Sequence, residues 1–247
     1  SDLVIFMAAL PLTQKGVDIN LPAETKQKTD QTPDVSQIVI EYTADKHISV
    51  NKQDVTIGEL EKKLRDIYEE RKALGRNLAP RVLDAVGWDT GRTVFAYIPN
   101  TSETAYLGLL QETERLAGGR AADALWALVK AGTATEADVR RLVHPRIRAE
   151  KVATKDQKLR TFITNDEARK DLVSHVYDIT RGTVEPGDTL VVVDDSIVRG
   201  TTLRESIVTM LARLEPARIV IASSAPPIMY PDCYGIDMSQ LGRFIAF

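Results

Sequence analysis

Val191-Val192-Val193-Asp194-Asp195-Ser196-Ile197-Val198-Arg199-Gly200-Thr201-Thr202 is the stretch on which the reading of this chain turns. Its apolar opening predicts a buried strand, which ends in two acids. A short loop of small and hydroxyl residues follows. Leu203, Ile207, Met210, Leu211 and Leu214 then recur at helical spacing. Strand, loop and helix in that order build an anion cradle, because loop and first-turn amides converge on one point and the helix dipole favours negative charge there. Asp194 and Asp195 fall at the carboxyl end of the strand, where open parallel sheets place their ligands. The plain alternative is a strand–helix turn capped by Asp. The coincidence of acids, hydroxyls and glycine favours the cradle.

Bulk composition narrows the class. The chain has 247 residues, 43% of them hydrophobic and 27% charged, as in a globular protein of one large or two small domains. The net charge of -3 and the absence of a dense Lys/Arg stripe argue against nucleic acid as a partner. One cysteine, Cys233, excludes an intrachain disulfide and a cysteine-cluster metal site. No basic leader is visible, and the apolar stretch from Leu3 to Leu10 is far shorter than the roughly twenty residues of a membrane span.

A second strand–loop–helix unit lies upstream. Thr93 to Ile98 reads as a buried strand, Pro99-Asn100-Thr101-Ser102-Glu103-Thr104 as a turn and helix start, and Leu107 and Leu110 as helix positions. Between the two units, Lys155-Asp156-Gln157-Lys158-Leu159-Arg160-Thr161-Phe162-Ile163 is a basic loop. Val176 to Ile179 and Leu190 to Val193 are expected as adjacent strands, and Arg218 to Ser223 as another. The stretch between Gly118 and Val143 reads as two short helices, the second opened by the capping box Thr135-Glu136-Ala137-Asp138.

From about Arg71 onward these motifs, in this order, resemble the type I phosphoribosyltransferases, and the wording of the Asp-Asp loop is similar to that of the glutamine phosphoribosylpyrophosphate (PRPP) amidotransferases. Ala225-Pro226-Pro227 and Tyr234 to Met238 extend the match. The resemblance implies a mainly parallel sheet with helices on both faces. It implies that Asp194 and Asp195 hold the ribose hydroxyls and help to place Mg²⁺. Ser196, Ile197, Val198, Arg199, Gly200, Thr201 and Thr202 would wrap the 5-phosphate, and Thr101 and Ser102 the pyrophosphate. Arg160 and Lys158 would be the catalytic cations of a mobile lid. PRPP and ammonia are the implied reactants, the cytoplasm the implied compartment, and a homo-oligomer an open possibility. The family's glutaminase domain and its C-terminal helices are not in this sequence, so free ammonia is the expected nucleophile. Some relatives bind an iron–sulfur cluster, but four cysteines are normally needed, and none is expected here.

The first seventy or so residues are different. Phe6 to Pro22, the alternating runs Ile38 to Tyr42 and His47 to Val50, and a helix opened by the capping box Thr56-Ile57-Gly58-Glu59 resemble the ExbD/TolR family of envelope proteins. Ile57, Leu60, Leu64 and Ile67 form the apolar face of that helix. This part is expected to be a partial α+β unit, residues 1–71, ahead of a phosphoribosyltransferase domain at 72–247. It carries the rival expectation of an envelope interaction protein at the inner membrane or in the periplasm. A third expectation is a module that binds PRPP without turnover. His47, His144 and His175 have no ligand-like spacing, Trp126 falls among helix-packing residues, and Cys233 is expected to pack in the core.

Overall fold

The computed structural model describes residues 2–7, 38–99, 101–143, 145–155, 177–195 and 207–225. The three apolar runs of the sequence become strands β5 (Thr93–Tyr97), β9 (Thr189–Asp194) and β10 (Arg218–Ser223), buried along almost their whole length. They pair in parallel, from Thr93↔Thr189 to Tyr97↔Val193 and from Arg218↔Thr189 to Ser223↔Asp194. Strand β1 (Asp2–Met7) joins beyond β10 and β6 (Arg148–Ala149) beyond β5. The result is a five-stranded parallel sheet in the order β1-β10-β9-β5-β6.

Strands that are apolar on both faces need cover on both. On one face α1 (Ile57–Ala85) and α2 (Glu103–Lys130) lay Leu78, Val82, Tyr106 and Leu109 on Phe95, Val191, Val193 and Val220. On the other, Met210 and Leu211 of α4 (Thr209–Ala212), with Leu214 after it, cover Val94, Ala96, Val192, Ile219 and Ile221. Alternation along β9 thus sends successive valines into different cores. This is the expected α/β arrangement, a parallel sheet with helices on both faces.

Helices α1 and α2 touch through their backbones. A Cβ on Gly75 would land on the Ala105 carbonyl, and one on Gly108 would land on the carbonyl of Lys72. Two glycines, one from each helix, therefore permit a crossing closer than side chains allow.

Two compact units emerge, Ser1–Ala9 with Ile67–Phe247, and Leu10–Asp66. The smaller contains an antiparallel sheet of β2 (Ile40–Tyr42), β3 (Ile48–Val50) and β4 (Gln53–Val55). Asn51 and Lys52, at φ 52 and 65, form the two-residue turn between β3 and β4, a hairpin conformation in which both central residues take positive φ. The capping box is formed: the Thr56 amide and hydroxyl both donate to Glu59 Oε2, at 3.1 and 2.7 Å.

Several expectations need correction. The strand β8 (Tyr177–Ile179) is not a neighbour of β9; it pairs antiparallel with β7 (Ala153–Lys155) in a separate two-stranded sheet. Both edges of β9 are taken by the longer runs of β5 and β10. The stretch after Gly118 is not two short helices. Helix α2 runs unbroken through Gly118 and Gly119, and α3 (Glu136–Val143) follows. A helical glycine costs only about 1 kcal/mol, and alanine, leucine and arginine flank this pair. The second capping box is present, with Thr135 Oγ1 donating to Asp138 Oδ2 at 2.6 Å. Trp126 is 58% exposed, with the Lys130 ammonium over its ring, and Ile57 is 81% exposed. Neither packs as its helical spacing suggested.

A buried charge cluster secures the amino-terminal end of the sheet. Asp188, just ahead of β9, is fully buried. Its Oδ2 accepts from Arg148 Nη1 at 2.7 Å and from the Glu185 amide at 2.9 Å. Its Oδ1 faces Arg92 Nε at 3.3 Å. Burial pushes against ionisation, but the amide and the two guanidiniums hold the carboxyl below its ordinary value of 3.8. Removing one partner of a buried pair leaves the others uncompensated, so Asp188→Ala is expected to cost about 3–5 kcal/mol, read from urea unfolding. Because the folded value lies below the unfolded one, this stabilisation is complete above about pH 4 and lost as pH falls through the folded value. Asp188→Asn should flatten that acid limb.

Candidate functional site

Strands β5 and β9 lie side by side, yet the chain leaves them in opposite directions. After β5 it enters α2, on one face, and continues to β6. After β9 it leads to α4, on the other face, and continues to β10. The carboxyl ends of two such strands are a topological switch point, the place where an open α/β sheet leaves a crevice for a ligand.

The residues at this crevice are fixed by register. Tyr97 pairs with Val193, and the next amide, Ile98 N–H, donates to the Val193 carbonyl at 2.9 Å. Pro99 to Ser102 therefore begin level with Asp194. Strand β10 ends at the same height: the Ser224 amide donates to the Asp194 carbonyl at 2.9 Å, and its hydroxyl to that of Asp195 at 3.3 Å. Ser102 is buried, and its hydroxyl donates to the Ile98 carbonyl. That bond ties the loop to the end of β5, and the Tyr106 amide donates to the Ser102 carbonyl at 2.9 Å as α2 begins.

Asp194 is 8% exposed, and its Oδ1 accepts the Asp195 amide at 2.9 Å. Burial raises its proton affinity, the neighbouring Asp195 carboxylate adds to it, and the carboxyl is pushed up to about 7. Asp194 and Asp195 thus stand at the end of β9, and Thr101 and Ser102 follow the end of the adjacent strand β5. Ser196, Ile197, Val198, Arg199, Gly200, Thr201, Thr202, Lys158, Arg160, His144, His175 and Cys233 lie outside the described residues. His47 is a surface residue, with Nδ1 3.5 Å from Asp54 Oδ1. Sequence reasoning did not single out Ser224, or Tyr97 and Glu103, which are hydrogen-bonded to each other at 3.1 Å beside the loop. Their signal was positional: Tyr97 ends β5, Ser224 stands just beyond β10, and Glu103 opens α2.

Comparison with known proteins finds similarity to two different families. Residues 3–83 match the family described as biopolymer transport protein ExbD/TolR. Amidophosphoribosyltransferase of Bacillus subtilis (strain 168) is 47% identical over 88 residues, 35% of this chain and 18% of that enzyme. The enzyme of the same name from Escherichia coli (strain K12) is 39% identical over 88 residues, 35% of this chain and 17% of its own length. About a third of this chain is thus similar to the amidophosphoribosyltransferases. Among solved structures, the glutamine PRPP amidotransferase from B. subtilis, complexed with ADP and GMP, aligns with 73% of this chain and 31% of its own, at 28% identity and a TM-score of 0.43. The matched stretch spans less than a fifth of the curated relatives' length. No helix among the described residues is long and apolar enough to cross a membrane.

The donor set can be tested against Mg²⁺. Among the described residues no group of three or more His, Cys, Asp or Glu side chains could cage a metal ion. Mg²⁺ does not require a cage, since it keeps several waters and uses one or two carboxylates together with ligand oxygens. Two adjacent acids, one of them buried and with its proton affinity raised by that burial and by the other carboxylate, suit an ion that arrives with its ligand.

The raised carboxyl has a measurable consequence. The folded chain holds a proton on Asp194 that the unfolded chain has released above about pH 4, so this residue's contribution to stability declines as pH rises from about 4 to 7. One aspartate is expected to titrate near 7 in carboxyl-detected NMR of the ligand-free chain, and Asp195→Asn should lower that value. Asp194→Asn should stabilise the ligand-free chain at pH 8, by at most a few kcal/mol at about 1.4 kcal/mol per pH unit.

Proposed function

We propose that the larger unit is a PRPP site of the amidophosphoribosyltransferase kind, which forms phosphoribosylamine from PRPP and free ammonia. The observation that carries this reading is the pair of motifs at one switch point: Asp194-Asp195 ending β9 and Thr101-Ser102 after β5, on adjacent strands. Sequence similarity to enzymes named amidophosphoribosyltransferase supports it.

In this reading Asp194 and Asp195 accept hydrogen bonds from the two ribose hydroxyls. Residues Ser196 to Thr202 enclose the 5-phosphate with amides and hydroxyls. Thr101 and Ser102, with the first turn of α2, hold the pyrophosphate end. Bound Mg²⁺ would neutralise charge on the departing pyrophosphate. Displacement at the anomeric carbon builds positive charge on the sugar, as in glycoside chemistry, so holding the ribose and stabilising the leaving group is the main task. Arg160 and Lys158 would close over the pyrophosphate and keep water out. Neutral ammonia is itself the nucleophile and needs little help from a base.

The match of residues 3–83 to ExbD/TolR supports a second reading for the smaller unit, as an interaction segment. It leaves the crevice at β5 and β9 unexplained, and the PRPP reading takes precedence for the larger unit.

A ligand that binds the folded state alone raises stability by mass action, by about 2.7 kcal/mol at a hundred times its Kd. Titration of the chain with PRPP and Mg²⁺ is expected to raise its melting temperature, and the Asp194→Asn/Asp195→Asn variant is expected to lose the response. An unmoved transition in a cooperatively folding sample would dismiss the proposed site.

A further inference from the structure

Helix α2 opens with an acid at the point where the proposed ligand is most anionic. Glu103 is its first residue and follows Ser102 directly. A carboxylate in a helix's first turn is drawn to the same amides and dipole that would receive a diphosphate. Left to rotate, this side chain is an internal competitor for the pyrophosphate.

The geometry restrains it. Tyr97, the last residue of β5, donates its hydroxyl to Glu103 Oε1 at 3.1 Å. The phenol has little freedom of its own. Tyr97 is 8% exposed and packs within the core between the sheet and α1 and α2. Its ring centroid lies 4.9 Å from that of Tyr106, whose own hydroxyl donates to the Phe95 carbonyl at 3.0 Å. Glu103 is exposed, so water and salt compete for it, and a hydroxyl anchored in the core is what gives its carboxylate a fixed side.

We infer that Tyr97 is a positioning residue for the pyrophosphate loop: it ties the Glu103 carboxylate to the end of β5 and so leaves the first turn of α2 open to a diphosphate. The inference rests on the PRPP reading above and adds a role for Tyr97 and Glu103, on either side of Thr101 and Ser102.

The test uses the full chain and three variants, Tyr97→Phe, Glu103→Gln and the double variant. Each is titrated calorimetrically with PRPP and Mg²⁺, and with inorganic pyrophosphate and Mg²⁺, at low and high ionic strength. Tyr97→Phe should weaken both ligands about threefold to fivefold at low salt, the size of a first-turn charge effect, and the deficit should shrink at high salt. Glu103→Gln should bind at least as tightly as the parent, and the double variant should regain parental affinity. A Tyr97→Phe deficit that persists in the double variant would reduce Tyr97 to a packing role and overturn the inference. So would parental affinity in Tyr97→Phe, or weakened binding in Glu103→Gln. If the parent itself does not bind PRPP, the functional reading fails and this inference with it; if the parent binds and Tyr97→Phe is unchanged, the inference fails alone.

Discussion

The parallel pairing of β5 with β9 is the constraint from which the rest of the larger unit follows. Its register sets Tyr97 against Val193, and that single alignment brings the loop after one strand level with the acids that end the other. It also fixes which valines face which core, because side chains alternate along a strand. A slip of one residue would turn both cores inside out and move Asp194 to the wrong face of the sheet. The helices enforce the register from both sides, since each accepts one set of the alternating side chains.

Strand β9 carries a buried aspartate just ahead of its start and another at its end, and the contrast between them is instructive. Asp188 is enclosed by two guanidiniums and an amide, and stays charged. Asp194 is also buried, but its neighbour is a carboxylate and its proton affinity is raised. The first is a finished electrostatic structure. The second holds one backbone amide, and burial together with the adjoining carboxylate favours its protonated form. Such perturbed groups concentrate at functional sites.

Much of this was readable from residues alone, for physical reasons. Val94 to Tyr97, Leu190 to Val193 and Ile219 to Ala222 are uninterrupted apolar runs, and such runs have few uses other than buried parallel strands. Thr56 with Glu59, and Thr135 with Asp138, are local devices that need no tertiary context, and both formed. What failed was non-local. Tyr177 to Ile179 is too short to reveal its partner, so Ala153 to Lys155 could not be guessed. Helical spacing shows which residues share a face of α1 or α2, but not whether anything covers it, as Trp126 and Ile57 demonstrate. The edge position of Asp2 to Met7 beside β10 is likewise a matter of pairing that no local pattern encodes. At the site, Asp194, Asp195, Thr101 and Ser102 were visible as motifs. Ser224 and the Tyr97–Glu103 pair became visible once strands had been brought to a common level.

The glycine crossing of α1 and α2 has a mechanical consequence. Where helices meet through side chains, rotamer changes can absorb a small displacement. At Gly75 and Gly108 there is no side chain to yield, and backbone rests on backbone. Any tilt of the first turn of α2 must therefore carry the adjoining turns of α1 with it. The first turn of α2 and the adjoining turns of α1 are in effect a two-helix block, stiff against sub-ångström adjustment.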